Sequence, residues 1–95
     1  MNREEARRLV TEKLADYRKL TYVELVARIG NDEYLQVSSP SNTEYQIEIQ
    51  FMWDDKEDGD IRISAAIDDS SLRGAFRPVC EDFIVTPDGR FLGEQ

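Results

Sequence analysis

Apolar and polar residues alternate with a period of two from Glu44 to Trp53 and again from Asp60 to Ile67, on either side of the acidic segment Asp54-Asp55-Lys56-Glu57-Asp58-Gly59. That period belongs to a strand whose successive side chains point to opposite faces, so the two runs predict a β-hairpin. Tyr45, Ile47, Ile49, Phe51 and Trp53 share one face of the first run, and Ile61, Ile63, Ala65 and Ile67 extend it in the second. The opposite face holds Glu44, Gln46, Glu48, Gln50 and Met52 beside Asp60, Arg62, Ser64 and Ala66. Asp58-Gly59 is expected to supply the turn, and Glu48 to pair with Arg62 across the strands.

A sheet with one apolar face needs a cover, and the N-terminal segment offers one. Ala6, Leu9, Val10, Leu14, Tyr17 and Leu20 recur at spacings of three and four, the stripe of an amphipathic helix. Asn2 is its expected N-cap with Glu5 completing a capping box, and Glu4 and Arg8 can pair on the wet side. Residues 21–29 fit both a strand, with Val23, Leu25, Ala27 and Ile29 on one face, and a short helix. Thr21 and Glu24 form a capping box and Gly30-Asn31 a stop, which favours the helix, with Tyr22, Leu25, Val26 and Ile29 on its buried side.

Glu33 to Val37 reads as a further short strand, followed by the turn cluster Ser38-Ser39-Pro40-Ser41-Asn42. Asp68 to Gly74 reads as a polar loop. Phe76 to Val79 reads as an edge strand or extended arm beside Pro78, and Cys80 as a packed cysteine. Thr86-Pro87-Asp88-Gly89 reverses the chain between Phe83-Ile84-Val85 and Arg90-Phe91-Leu92. The expected fold is α+β: an N-terminal helix and a short second helix packed on one face of an antiparallel sheet of four to five strands. Residues 1–95 are expected to form a single domain, because a chain of this length supports only one core.

The order of a capped helix, the strand Tyr45-Gln46-Ile47-Glu48-Ile49-Gln50 and the hairpin from Phe83 to Phe91 resembles small bacterial α+β proteins of unknown function. That resemblance implies no role for any residue.

The chain has no histidine, which removes the commonest general base and metal ligand and any Ser-His or Cys-His pair. Cys80 is the single cysteine, so an internal disulfide is excluded, and its neighbours Glu81 and Asp82 do not favour a nucleophilic thiolate. No phosphate-binding glycine loop is present. The acidic connector invites a calcium reading with Gly59 at the sixth loop position. Lys56 and Ala65 then occupy positions where that motif requires acids, and the flanks are strands rather than helices. No metal or cofactor is therefore expected. Asp68, Asp69, Glu81 and Asp82 form a second acidic group, and Arg73 and Arg77 are the only bases between residues 63 and 89. Together they are the candidate contacts for a ligand or partner.

The net charge is -8 and unevenly spread: residues 1–28 carry seven bases against five acids, and the remainder five bases against fifteen acids. A phosphate backbone is repelled by such a field, so nucleic-acid binding is not expected, while a basic protein partner is. The absence of a long apolar run and of a signal-peptide pattern leads us to expect a cytoplasmic protein without a membrane span. Two function classes follow. The favoured one is a small acidic, non-enzymatic interaction domain that binds a protein, as a toxin-neutralising immunity protein or inhibitor does, or binds itself through a sheet edge as a homo-oligomer. The alternative is a small-molecule binder or enzyme built on Arg73, Arg77 and the loop acids Asp68, Asp69, Glu81 and Asp82.

Overall fold

A computed structural model describes residues 2–69 and 78–94. Two helices, α1 (Arg3–Arg18) and α2 (Tyr22–Val26), precede four strands, β1 (Glu33–Ser38), β2 (Glu44–Trp53), β3 (Ile61–Asp69) and β4 (Val79–Val85). The strands form an antiparallel meander in the order β1-β2-β3-β4. The fold is thus α+β, with both helices on one face of an open sheet. Among the described residues no helix is long and apolar enough to cross a membrane.

The alternation in β2 and β3 defines the covered face. Tyr45, Ile47, Ile49 and Phe51 lie opposite Asp69, Ile67, Ala65 and Ile63, and Ile61 opposite Trp53. The apolar members of these pairs are buried, apart from the half-buried Trp53. Ala6, Val10, Leu14 and Tyr17 of α1 pack down onto β3 and β4. Tyr17 meets Phe51 edge-on, with ring centroids 5.5 Å apart, a favoured aromatic geometry. Arg18 lies over Phe83 and Phe91 at 4.5 and 4.9 Å and pairs with Glu94 at 2.7 Å, which holds the C-terminal segment against α1.

Local signals account for the helix ends. The Asn2 side chain accepts from the Glu5 N–H at 3.0 Å, so the cap forms, but the Glu5 carboxylate does not complete the box. It turns into the protein instead, accepting from Ser41 at 2.8 Å and from the buried Tyr45 hydroxyl at 2.9 Å. The full box forms on α2, where the Thr21 side chain accepts from the Glu24 N–H at 3.1 Å and Glu24 accepts from the Thr21 N–H at 2.8 Å. The α-helix ends at Val26, short of the expected Ile29. Bonds from the Arg28 and Ile29 N–H groups to the Leu25 and Val26 carbonyls tighten the next turn, until Gly30, at φ 84°, leads away. Leu25 is the buried residue of α2, and the Tyr22 hydroxyl donates to the Gly59 carbonyl at 2.7 Å, bracing the β2–β3 connector.

Further departures from the sequence expectations concern β3, β4 and the C-terminal segment. Asp68 and Asp69 belong to β3 rather than to a loop, because β2 starts early enough to pair with them through Gln46 and Tyr45. Cys80, Glu81 and Asp82 are strand residues continuous with Phe83 to Val85. The inward-facing Glu81 interrupts the apolar alternation there, and Arg7 of α1 reaches down to pair with it at 2.5 Å. Cys80 is exposed rather than packed, since its register opposite Ala66 places it on the uncovered face. The sheet has four of the expected four to five strands: residues 90–92 return beside β4 only through a Val85–Phe91 bridge and a bond from the Leu92 N–H to the Ile84 carbonyl at 2.9 Å. Phe76 of the expected edge strand lies outside the described residues.

The turns follow their residue chemistry. Asp58 rather than Gly59 takes the left-handed conformation at the connector, at φ 66°, and the Asp54 N–H bonds to the Asp60 carbonyl at 2.8 Å. Asn42 does the same after Pro40-Ser41, at φ 67°, and Gly89 after Pro87-Asp88, at φ 88°.

Candidate functional site

Among the described residues every helix lies on one side and none covers the other side of the sheet. Its side chains are read from the register: Tyr34, Gln36 and Ser38 on β1; Glu44, Gln46, Glu48, Gln50 and Met52 on β2; Arg62, Ser64, Ala66 and Asp68 on β3; Cys80, Asp82 and Ile84 on β4. One wet face is ordinary for an antiparallel sheet, and what distinguishes this one is its charge. Among the described residues it carries four carboxylates, from Glu44, Glu48, Asp68 and Asp82, against the single guanidinium of Arg62.

That guanidinium is already engaged. Asp54, at the end of β2, accepts from Arg62 Nε at 2.9 Å and lies 2.7 Å from Nη2, and Asp82 accepts from Nη1. The hydrogen bond to Asp54 and then that to Asp82 push the Arg62 pKa further up. The expected Glu48–Arg62 pair is absent because the register sets Arg62 opposite Met52 and Glu48 opposite Ala66. Glu48 instead accepts from the hydroxyl of Tyr34, directly opposite it on β1, which raises the Tyr34 pKa; the negative charges of Glu48 and Asp32 add to the rise. Tyr34 is 73% exposed. Beside it an open depression of about 480 Å³ has Tyr34, Gln36, Gln46, Glu48, Ala66 and Asp68 among its lining residues.

The sheet separates the residues singled out from the sequence. Asp68 and Asp82 lie on the uncovered face, whereas Asp69 and Glu81 occupy register positions of the helix-covered face. Asp82 stands opposite Ser64, four residues along β3 from Asp68, a spacing of about 13 Å. The four acids therefore do not converge on one point. Asp82 is occupied by Arg62 and Glu81 by Arg7. Arg73 and Arg77 lie outside the described residues. Among the described residues no group of three or more histidine, cysteine, aspartate or glutamate side chains is arranged to hold a metal ion. In the acidic connector Asp54 is turned to Arg62, which disperses the carboxylates a calcium loop would need to gather.

Sequence reasoning passed over three polar arrangements on the covered side. Glu5, 7% exposed, joins Ser41 and Tyr45, and Ser39 lies 2.8 Å from Ser41. The hydrogen bonds from Ser41 and then Tyr45 pull the Glu5 pKa below the usual range, while burial, reinforced by Glu5, pushes Tyr45 up to about 12. Glu33 accepts from the Tyr17 hydroxyl and pairs with Arg28 at 2.5 Å, and burial followed by that hydrogen bond raises the Tyr17 pKa. Arg18 bridges Phe83, Phe91 and Glu94. In each a charged side chain within the helix segment or β1 sits beside the apolar stripe, a position that marks it as a partner for a buried polar atom. No protein family, curated protein or solved structure matches this chain.

Proposed function

We propose that this chain is a non-enzymatic interaction domain whose uncovered sheet face docks a basic protein partner. One observation carries the reading: among the described residues the face presents four carboxylates, and the one base among them, Arg62, is already held by Asp54 and Asp82. A cationic surface approaching it meets uncompensated negative charge, which speeds encounter and disfavours acidic partners. The hydrogen-bonded strands supply a stiff platform that need not rearrange on binding. Neutralisation of a cationic protein, as by an immunity protein or inhibitor, is a role of this class.

The test is titration of the protein with a lysine-rich peptide and with its glutamate counterpart, at low and at high salt. The lysine peptide alone is expected to bind, and more weakly at high salt. The double substitution Glu44→Lys and Glu48→Lys is expected to abolish binding without lowering the melting temperature, because both side chains point away from the core. Equal binding of the two peptides, or no binding of either at low salt, overturns the reading.

A further inference from the structure

Resting on that reading, we infer that the partner docks by adding a strand to the free edge of β1, as an extended segment that alternates basic and apolar residues. The hydrogen-bond phase of the sheet defines the free groups. The Ser39 N–H bonds to the Thr43 carbonyl, and the Asp54 N–H to the Asp60 carbonyl, at the two ends of the β2 ladders. Antiparallel bonds recur at every second residue, so Glu33, Leu35 and Val37 exchange bonds with β2. The N–H and C=O groups of Tyr34, Gln36 and Ser38 point the other way, off the sheet, and no described residue bonds to those of Tyr34 and Gln36.

The opposite edge is not equivalent. By the same phase Cys80, Asp82 and Ile84 face outward from β4, and Ile84 is already taken by the Leu92 N–H. β1 carries no proline, lysine or bulge, the usual devices that block an edge, and Pro40 lies beyond its end.

Charge decides the occupant. A second copy pairing β1 with β1 would bring its own Asp32 to the seam and set its Glu44 and Glu48, one strand further back, on a surface that is already acidic; among the described residues no cation near that edge is free to meet them, because Arg28 is held by Glu33. A basic strand meets no such repulsion. Its outward side chains would lie beside Tyr34 and Gln36, two strand spacings, or roughly 10 Å, from Glu48. A lysine or arginine and a glutamate extended towards each other span that gap. Its inward side chains would lie beside Leu35 and Val37, which β1 leaves half-buried, and these should be apolar. The added strand thus reads as basic and apolar residues in alternation.

The test is amide hydrogen exchange on the whole protein, with a heptapeptide of alternating lysine and valine as probe and a glutamate-valine heptapeptide as control. In the free protein the Tyr34 and Gln36 amides should exchange rapidly and those of Leu35 and Val37 slowly. With the lysine-valine peptide at about ten times its Kd, exchange at Tyr34 and Gln36 should slow about tenfold. Gln36→Pro, tolerated on an edge whose N–H faces solvent, should keep the melting temperature and lose the binding.

Binding of the lysine-valine peptide without protection at these two amides overturns strand addition and leaves the basic-partner reading standing, as does binding of a non-alternating lysine peptide alone. Equal protection by the glutamate-valine peptide overturns the choice of a basic strand. Concentration-dependent protection in the free protein would make a second copy the occupant. Failure of every lysine peptide at low salt removes both readings.

Discussion

The Tyr45 hydroxyl on β2 donates to Glu5 Oε1 on the first turn of α1 at 2.9 Å, joining residues 40 positions apart where the tyrosine is fully buried. Ser41 donates to the same oxygen at 2.8 Å, so one carboxylate ties the helix start to both the β1–β2 turn and the sheet. Tyr45→Phe keeps the ring and removes one of these donors. A hydrogen bond to a charged acceptor is worth about 1.5–3 kcal/mol, and the remaining Ser41 bond places this substitution near the lower end. The melting temperature should fall by about 4–8 °C for each kcal/mol lost. Calorimetry checks it; a variant that melts with the wild type would show that the bond contributes nothing.

The same pair makes stability depend on pH at both ends. The Glu5 pKa is lowered in the fold, first by Ser41 and then by Tyr45, so its contribution is complete above the unfolded value and disappears as pH falls through the folded one. The Tyr45 pKa is raised from 10.0 to about 12, chiefly by burial, so its contribution is complete below 10.0 and disappears as pH rises towards 12. Tyr17, raised by burial and by Glu33, adds a second alkaline loss. Melting temperature followed against pH should therefore drop on both flanks. Tyr45→Phe should reduce the alkaline drop, and a second substitution, Tyr17→Phe, should reduce it further. An unchanged alkaline flank in the double variant would sink this assignment.

The parts legible in the sequence are those in which one periodicity covers a whole element. Ala6, Val10, Leu14 and Tyr17 of the stripe and the odd positions from Tyr45 to Phe51 and Ile61 to Ile67 are all buried in the core, with Leu9 packed at its margin. β4 was obscured because Glu81 occupies an inward position, and its partner Arg7 lies 74 residues away, beyond the reach of any local pattern. Arg62 shows the same limit on the uncovered face: its placement opposite Met52 rather than Glu48 depends on the length of the connector, which register and not composition sets. The candidate site is legible only in part for a related reason: alternation puts Glu44, Glu48 and Arg62 on one outward face, but not Asp68 or Asp82. Four carboxylates share a face only once four strands are put in order, and Glu44 and Glu48 then join Asp68 and Asp82 while Asp69 and Glu81 go to the other side.

Ile49 tests the assignment of faces. It is fully buried between Glu33 of β1 and Ala65 of β3 by register, with the helices above it. Ile49→Ala should cost about 2–5 kcal/mol, from lost burial and from the cavity left behind. Ile49→Asp should abolish the cooperative thermal transition altogether, because a carboxylate there finds no partner. Gln50→Asp, one residue further and on the uncovered face, should melt close to the wild type. A sharp transition for Ile49→Asp near that of the wild type would mean that the faces are reversed.

Arg62 is the residue that separates stability from docking. Its side chain and that of Asp82 are 36% and 46% exposed, so water screens much of the pair, and Arg62→Gln should cost only about 0.5–1 kcal/mol. The same change releases Asp54 and Asp82 and leaves the described residues of the uncovered face with four carboxylates and no base. If a basic segment docks there, the variant should bind a lysine peptide about two- to fivefold more tightly than the wild type, with a steeper dependence on salt. A purely structural Arg62 predicts the same small fall in melting temperature with no gain in affinity. Measuring both quantities on one variant decides between them, because loss of the cation weakens the fold and strengthens the docking surface through the same two carboxylates.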